Sequence, residues 1–558
     1  MELTSIASIQ GEGYYSPFAD QPVLTRGVVI AHSRRGFFIQ DPAGKPNALT
    51  SCGLFVLSRK HRPPIGSYCE VGGKVLDYLA TEFDRPVTEI KAVKVDVIDA
   101  EGAAIDAVVI GAELLEESPE VLAQFLNSHE GMLATILAGA RFVAASNPFA
   151  DYVVAPAGLS ERFLRSEHGG VLIDANVPDQ WLPSFRVVDY EQASPVDVGA
   201  TLGADVTGAL NYRSQSWQIA CNQGASIQPG PDITDTVTSL HSDDSSLAVM
   251  TLNTLNLDVK IESKDKVLDP RRDIDDDVGE GRFLRLARAI VKQARSPDVV
   301  ALQEIQDNDG AEISEVVDAS ETYKLLINQV LQLGGPRYAW LDIPPEVGAD
   351  GGQPGGNIRN AYLYDPARVD VLPGSLQRLA NQQEAFEASR KPLTATFSLK
   401  AHSNAQLTVI NVHLASKRHQ RGMFAPELPG HDPKLSMRVD QARILRAVLD
   451  ELDELGRDYF VTGDFNDNEF SAPIRALLGE SSGKLVDYMS PAERYDYNHR
   501  GKLQVLMHGI VSLRQKNENR IQYEILHGNE LLGVTPGDGG GKASDHAYTM
   551  AQLSFAEQ

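Results

Sequence analysis

The sequence predicts an α/β fold class, in which a β-rich region precedes a layered α/β region. Three observations carry this prediction. Short runs rich in Val, Ile and Phe fill the chain before Cys221, a polar stretch follows, and apolar runs then alternate with helical spacing from Leu247 onward. Such alternation is typical of layered α/β proteins. A chain of 558 residues buries sizeable cores without disulfide staples.

The first hundred residues predict a small barrel. Turn signals such as Asp41-Pro42 separate five apolar segments. Five strands at this spacing are typical of a closed barrel. The sequence of the first two strands, which contains glycines at intervals, resembles the N-terminal strands of an OB-fold. The predicted strands are Val23–Ala31, Gly36–Gln40, Gly53–Leu57, Cys69–Leu79 and Val87–Val97.

The rest of the chain divides by composition. We expect an OB-fold-like domain over residues 1–100, a second β-rich domain over 101–226, a polar linker over 227–246 and a layered α/β domain over 247–558. Within the last, Ser436–Leu455 has the apolar spacing of an amphipathic helix.

Composition narrows the classes of protein. With 51 Lys+Arg against 76 Asp+Glu, the formal net charge is −25, which excludes binding of nucleic acid through a broad basic surface. Any phosphate partner must then meet a local cationic feature or a bound metal. Three cysteines without a C-x-x-C pair exclude a disulfide scaffold and a cysteine zinc site.

The sequence also bears on membranes and compartment. The apolar stretch Met132–Ala140 ends at Arg141 and is too short to span a bilayer, so we expect no membrane insertion. Met1–Gln10 lacks the basic and apolar regions of a signal peptide. The chain as written is therefore expected inside the cell, or outside if a signal was removed before numbering.

Several apolar, strand-like runs in the C-terminal region end at residues that bind metals or move protons. Because strand ends in layered α/β folds collect active-site residues, these side chains are expected to converge. The residues at or just after these strand ends are Asn253, Glu304, His413, Asp464, Asn466, Asp545 and His546.

This inventory has a chemical meaning. Carboxylates with an amide oxygen form a hard, oxygen-rich site suited to Mg²⁺, Mn²⁺ or Ca²⁺. Histidines beside it can donate to a phosphate oxygen or transfer a proton. The set suits metal-assisted hydrolysis of a phosphate ester.

The ordered motifs resemble the endonuclease/exonuclease/phosphatase superfamily, which includes deoxyribonuclease I and exonuclease III-type enzymes. The wider sequence, including the OB-like N-terminal region, resembles the large bacterial extracellular-nuclease branch of this superfamily. The resemblance covers residues 247–558. The motifs that carry it are Met250–Asn256, Ser296–Ile305, Gly351–Arg359, Asn411–Leu414, Gly463–Asp467 and Ser544–His546.

The resemblance implies a deoxyribonuclease I-like α/β sandwich and assigns roles by position. Glu304 would be the principal metal carboxylate, with Asn253 and Asp545 as further ligands. Asp464 would orient or deprotonate the attacking water, and Asn466 would hold phosphate or Asp464.

The remaining positions would contact the substrate. His413 and His546 would flank the scissile phosphate. Arg359 would contact phosphate, with a structural ion pair as the alternative, and Asn411 would bind substrate.

One position departs from the family pattern. The family usually places an Asp in a strand shortly before the last motif, where it orients the final histidine. Here Met507 stands at that place, and methionine cannot accept a strong hydrogen bond from imidazole. Asp487, Asp496 and His508 are the candidates to replace it.

These observations lead to one primary hypothesis. The chain would be a metal-dependent phosphodiesterase, a nuclease that hydrolyses DNA by metal-assisted in-line attack of water, with Mg²⁺ as the first choice of metal. DNA is then the expected partner, and no protein partner is implied. One alternative is a phosphatase or phospholipid phosphodiesterase acting on a small substrate. The other is a catalytically decayed nucleic-acid-binding protein.

Overall fold

Five strands near the N-terminus close into a barrel. The computed structural model describes residues 2–45, 47, 49–175, 180–518, 520–534 and 542–555. The barrel order is β1-β2-β3-β5-β4, and β4 pairs with β1 to close it. Only the β3–β5 pair is parallel among these strands. The elements are α1 (Ile6–Gln10), β1 (Pro22–His32), β2 (Gly36–Gln40), β3 (Gly53–Leu57), β4 (Tyr68–Tyr78) and β5 (Val87–Asp99).

A nine-stranded sheet follows the barrel, in the order β15-β12-β8-β9-β11-β14-β13-β7-β6. Trp217, Phe185 and Phe142 lie in its buried core. The elements of this segment are β6 (Val108–Val109), α2 (Pro119–Ser128), β7 (Leu133–Ile136), β8 (Arg141–Phe142), β9 (Asp151–Ala155), β10 (Val171–Leu172), β11 (Ser184–Val187), β12 (Thr201–Leu202), β13 (Val206–Arg213), β14 (Ser216–Cys221) and β15 (Ile227–Gln228).

The C-terminal region contains two sheets. The first has the order β18-β19-β17-β16-β30-β29, and the second has the order β20-β22-β23-β24-β28-β25 with β21 paired to β22. The strands are β16 (Ser246–Leu257), β17 (Val299–Ile305), β18 (Ala339–Leu341), β19 (Arg359–Tyr364), β20 (Val369–Val371), β21 (Gln377–Arg378), β22 (Leu393–Leu399), β23 (Gln406–His413), β24 (Tyr459–Asp464), β25 (Ser482–Lys484), β26 (Tyr497–His499), β27 (Lys502–Gln504), β28 (Met507–Ser512), β29 (Ile521–Leu526) and β30 (Tyr548–Ser554).

Helices cover both outer faces of these sheets. A π-helical turn, Ala289–Gln293, continues α3. The helices are α3 (Arg282–Arg288), α4 (Ser320–Gln332), α5 (Leu435–Glu454), α6 (Ala472–Leu478) and α7 (Leu513–Asn517). Short 3₁₀ turns occur at Ala112–Glu116, Tyr190–Gln192, Glu384–Phe386, Leu485–Tyr488, Pro491–Glu493 and Asn529–Leu531.

The two sheets stack face to face because alternate residues of each strand point to opposite sides. Val249 on β16 joins a core with Phe460 of the second sheet, whereas its neighbour Met250 packs towards α3 and α4. On the far side, Ile410 of β23 packs with Leu445 of α5. The region is therefore a four-layer helix–sheet–sheet–helix sandwich, and the predicted α/β fold class is confirmed.

A third, small sheet connects the nine-stranded sheet segment to the sandwich. β10 pairs in parallel with β27, and β27 pairs antiparallel with β26. Asn498 Nδ2, on β26, donates to the carbonyl of Val143, the residue after β8, at 2.9 Å. The nine-stranded sheet thus packs next to β26, which leads into the site described below.

Residues 229–245 contain no helix or strand. Part of this segment nevertheless packs on the sandwich, where buried Thr238 donates to the Glu524 carboxylate at 2.6 Å. We propose the predicted boundaries near residues 100, 226 and 246 as domain boundaries, since the barrel lies within the first predicted segment and the sandwich sheets begin at Ser246. The predicted linker starts too early, because β15 (Ile227–Gln228) still belongs to the nine-stranded sheet. Among the described helices, none combines the length and apolar character needed to cross a membrane.

Candidate active site

Two neighbouring strands of the first sheet break their register at the same level. β16 bulges between Asn253 and Leu257, and β17 bulges between Leu302 and Ile305. Glu304 lies in the second bulge with φ of +60°, a left-handed conformation that is uncommon for a non-glycine residue. The bulges turn Glu304 towards Asn253, whose Nδ2 donates to Glu304 Oε1 at 3.2 Å.

The second sheet supplies Asp464 at the end of β24. Gly463 before it has φ of +138°, and a Cβ at this position would lie 1.9 Å from the Val412 carbonyl oxygen. Only glycine therefore allows β24 to approach β23 here. The Asn466 backbone N–H donates to Asp464 Oδ1 at 2.8 Å and fixes the carboxylate.

His413, at the end of β23, lies between the carboxylates of the two sheets. Its Nε2 is 3.7 Å from Glu304 Oε1 and 3.6 Å from Asp464 Oδ2. One ligand atom from each of these three residues lies within 4.8 Å of the others. The structure thus brings Glu304, His413 and Asp464 together, although 160 positions separate Glu304 from Asp464 in the chain.

Asp496 orients the final histidine. His546 Nδ1 is 3.0 Å from Asp496 Oδ1, while the backbone N–H groups of Leu506 and Met507 donate to Asp496 Oδ2. Asp496 thereby makes the hydrogen bond that a methionine at 507 cannot make. Asp487 does not take this role: it pairs with Lys484 and Lys516. His508 does not either, because its Nε2 contacts the Asp467 carbonyl.

The two histidines have opposite charge preferences. Burial holds the pKa of His413 well below its usual value, and Arg390 and His546 lower it further. Burial alone would also lower the pKa of His546, but Asp545, Asp496 and Asp464 raise it to about 10. His413 is therefore a neutral imidazole and His546 a cation at neutral pH.

The carboxylates repel one another. Burial and the charge of Asp545 raise the pKa of Glu304 to about 7, and burial raises the pKa of Asp464. Asp545 Oδ1 is buried and has no hydrogen-bond partner among the described residues. A buried carboxylate oxygen without a donor, next to two further carboxylates, fits a divalent cation.

Asn253 differs from the expected ligand. Its Oδ1 accepts from the Leu255 N–H at 2.9 Å, and its Nδ2 points to Glu304 and, at 3.5 Å, to Asp464. The side chain therefore holds the two carboxylates in place as a hydrogen-bond donor.

The structure corrects the expectation for Asn411. This side chain is fully buried, and its Oδ1 accepts from Gln303 Nε2 at 2.7 Å. Its Nδ2 donates to the carbonyls of Leu302 and Ala361 at 2.9 Å. Asn411 therefore ties the two sheets together, and its fully buried side chain is not accessible to a substrate.

Arg359 is likewise engaged in structure. It lies opposite Ile305, next to Glu304 in sequence, but its Nη1 is 3.3 Å from Asp342 Oδ2 and its Nη2 donates to the Asn357 carbonyl. The guanidinium is buried in this ion pair. Arg359 therefore makes a structural ion pair and not the predicted contact with phosphate.

Asn466 keeps its predicted position beside Asp464. Its backbone takes a left-handed φ of +53°, and its Nδ2 donates to the Leu414 carbonyl at 3.0 Å. The half-buried side chain links the ends of β23 and β24.

Two further residues belong to the site, and the sequence did not predict either of them. The Tyr497 ring lies 4.7 Å from the His546 ring, and burial together with the nearby carboxylates raises the pKa of its hydroxyl. Buried Arg390 is close enough to Glu304 and Asp464 for their charges to act on its pKa, which burial lowers. Neither residue stands in a sequence motif, and only the fold places them here.

Residues 250–506 match the Endonuclease/Exonuclease/phosphatase family, and residues 118–229 match a domain of unknown function, DUF8508. No curated protein matches the chain.

Solved structures of low identity also resemble it. D. rerio TDP2 complexed with a single-strand DNA product is 15% identical, with 56% of this chain and 100% of that chain covered and a TM-score of 0.35. The endonuclease/exonuclease/phosphatase from Bacteroides vulgatus is 15% identical, with 56% and 100% covered and a TM-score of 0.35. The human Nocturnin catalytic domain with bound sulfate is 15% identical, with 58% and 97% covered and a TM-score of 0.34.

The matched family contains metal-dependent phosphodiesterases and nucleases, and its members hydrolyse phosphoesters. The matched span includes Asn253, Glu304, His413 and Asp464, and Asp496 also lies within it. Residues 250–506 of this chain therefore form an endonuclease/exonuclease/phosphatase family domain.

Proposed function

We propose that the sandwich hydrolyses phosphodiester bonds of DNA in a metal-dependent reaction, with water attacking in line with the leaving group. The observation that carries the proposal is the convergence of Glu304, Asp464 and Asp545 with two histidines at one rim of the stacked sheets. Carboxylates and histidines in this arrangement supply each part that metal-assisted hydrolysis requires.

The metal would lie among the carboxylates. Glu304 and Asp545 would hold it, and Asn253 keeps Glu304 in position. We propose Mg²⁺, with Mn²⁺ and Ca²⁺ as alternatives, because all three prefer carboxylate oxygens. When bound, the cation would neutralise charge on the phosphate and its leaving oxygen.

Asp464 would orient the attacking water and accept its proton. Its Oδ1 is fixed by the Asn466 N–H, so its Oδ2 is the oxygen available for this task. The same oxygen lies 3.6 Å from His413 and 3.9 Å from His546, and these distances support a role for both histidines in the reaction.

The two histidines would divide the remaining work. His546, held by Asp496, carries a positive charge that stabilises the charge developing on phosphate oxygens. Neutral His413 would donate a hydrogen bond to the phosphate. Its orientation must come from packing, since its Nδ1 is buried without a partner in the described part of the chain.

Digestion of plasmid and linear DNA tests this proposal. We expect cleavage with Mg²⁺, Mn²⁺ or Ca²⁺, none with EDTA, and a loss of about 10²–10⁴-fold in Glu304→Gln. Glu321→Gln, an exposed position on α4, is the matched control. Absence of metal-dependent cleavage under every condition would refute the nuclease proposal.

A second candidate keeps the mechanism and changes the substrate to a small phosphoester. The net charge of −25 supports it, since that charge opposes long nucleic acids. Phosphate release from small esters without nicking of DNA would favour this candidate. The alternative of a catalytically decayed protein was based on Met507, which stands where the family has the orienting Asp. Asp496 makes that hydrogen bond to His546, so this reason for expecting decay no longer holds.

A further inference from the structure

A cavity of about 380 Å³ lies where the barrel meets the nine-stranded sheet. Beside it, Phe38 and Phe55 of the barrel pack against Ala209 and Ala220 of the sheet. The volume is within the range of small-ligand sites. The cavity is remote in sequence from every catalytic motif of the chain.

Arginines dominate the charge of this cavity. Five arginines line it against two carboxylates, Asp84 and Glu89, and the adjacent Glu130 and Asp151 reduce the local formal charge from +3 to +1, in a chain of −25. The five arginines are Arg34, Arg35, Arg85, Arg186 and Arg213.

Three of these arginines are neutralised by neighbours. Arg35 pairs with Glu89 at 2.9 Å, Arg85 pairs with buried Glu130, and Arg186 lies 3.6 Å from Asp151. Even so, the Nε of buried Arg85 has no hydrogen-bond partner among the residues described.

The other two arginines, Arg34 and Arg213, are exposed and form no ion pair with any described residue. They sit on different walls, Arg34 in the β1–β2 turn and Arg213 at the end of β13. Two unpaired guanidinium groups facing one cavity are complementary to an anion, and guanidinium geometry suits phosphate.

Flat rings accompany the charges. The Arg34 guanidinium lies 3.7 Å from the centre of the Tyr190 ring, and Arg35 lies 4.2 Å from that of Tyr78. Phe38 and Phe55 add two rings with centres 4.9 Å apart. An arginine covers one face of each tyrosine ring, so a nucleic-acid base can stack on the opposite face of half-buried Tyr190 or exposed Tyr78.

The rim of the cavity is tied to the candidate active site. Ser214 lines the cavity, and its carbonyl accepts from both Nη atoms of Arg500 at 3.3 Å. Arg500 follows Tyr497 by three residues, which span at most about 11 Å of extended chain. Because the Tyr497 ring contacts His546, this short segment connects the rim of the cavity to the catalytic cleft.

We propose that this cavity binds one nucleotide unit of a single DNA strand, with its phosphate on Arg34 and Arg213 and its base against the tyrosine rings. The inference rests on the proposed function, since the cavity would be a second binding site for the strand that the hydrolase cleaves. It also explains how a strongly acidic chain holds a polyanion: binding depends on a local cationic site.

Fluorescence anisotropy with a 5′-labelled ten-residue oligothymidylate, measured in EDTA on the full chain, tests binding without catalysis. We expect the double variant Arg34→Ala/Arg213→Ala to bind at least about tenfold more weakly, with a shallower dependence on salt. Arg443→Ala, on the surface of α5, is the matched control and should bind like wild type. Arg34→Lys/Arg213→Lys should recover part of the affinity, which a merely misfolded protein would not do.

The outcomes are distinct. Equal binding by wild type and the double variant, or no binding of the oligomer by wild type, overturns the inference. Competition by thymidine monophosphate as strong as by the oligomer, or by inorganic phosphate alone, also overturns the strand assignment. Binding in EDTA that persists in Glu304→Gln supports it even if DNA hydrolysis fails, so the cavity and the proposed function can fail separately.

Discussion

The two halves of this molecule gather opposite charges by different means. In the sandwich, carboxylates such as Glu304 and Asp464 meet because each one ends a strand, and stacked strand ends share a rim. Between the barrel and the nine-stranded sheet, arginines such as Arg34 and Arg213 meet because two separately built walls pack together. An acidic site of the first kind can be predicted from local sequence motifs. A cationic site of the second kind forms only when the two walls pack together, so no local motif predicts it.

The sharpest test of the acidic half is Asp464→Asn. Because Asp464 is proposed to accept the proton of the attacking water, we expect metal-dependent hydrolysis to fall by about 10²–10⁴-fold. Initial rates on a labelled oligomer at saturating Mg²⁺ measure it. Asp440→Asn, exposed on α5, should retain normal turnover. Near-normal rates in Asp464→Asn would mean that another group activates water.

Asp496 provides the second test, because it acts on the reaction only through His546. Asp496→Asn should lower kcat by about 10- to 100-fold with little change in KM, as loss of an orienting partner does. Met507→Leu, which keeps an apolar side chain at a fully buried position, should leave kcat unchanged. A variant carrying Met507→Asp should gain no activity and lose stability, because a carboxylate would be buried there.

Activity appearing only in Met507→Asp would contradict this account and restore the decayed-site hypothesis. A fall in KM without a fall in kcat for Asp496→Asn would contradict it as well. Comparing the two variants therefore separates an orienting role of Asp496 from a general loss of folding.

The sequence predicted the sandwich and most of its rim for a physical reason. Strand periodicity is local, so Glu304, His413 and Asp464 could be placed at strand ends without knowledge of tertiary contacts. Asp496 could be offered only as one of three candidates, because its contact with His546 joins the bend before β26 to a residue 50 positions away. Arg390 lies outside every strand and motif, so its place depends on loop packing alone.

The barrel half shows the same limit more strongly. Its five strands were predicted within a few residues of the observed bounds. The OB-fold assignment stays a prediction. The cavity draws Arg34 from a turn and Arg213 from a strand of another sheet, and no spacing rule connects these positions. The prediction for Asn411 was wrong for a different reason. Its motif was recognised in the sequence, but its side chain bridges the two sheets and does not face a substrate.

A second acidic cluster in the sandwich shows how far charge can be concentrated there. Asp258, Asp275 and Asp277 bring carboxylate oxygens within 4.8 Å, with Arg282 as the paired cation. Burial, with Glu262 and Asp277 nearby, raises the pKa of Asp258 to about 9. Because the folded state then binds the proton more tightly than the unfolded state, stability falls as pH rises from about 4 to about 9.

We therefore expect Asp258→Asn to stabilise the protein more at pH 8 than at pH 5, by up to about 4 kcal/mol. Urea denaturation in EDTA at both pH values measures the difference. Asp265→Asn, for which no comparable burial exists, is the control and should show no such trend. An equal effect at both pH values would show that Asp258 is not strained by its neighbours.

The smallest expected effect concerns the link between the halves. Arg500→Ala removes two hydrogen bonds to Ser214 at an exposed rim, which are worth about 0.5 kcal/mol. We expect KM for a long single strand to rise about two- to threefold, since the cavity would no longer be held in register with the cleft. Steady-state kinetics on strands of increasing length measure this, and the rise should vanish for strands too short to reach the cavity. An identical rise at every length would place Arg500 in the cleft itself, and the acidic and cationic sites would then act on the strand independently.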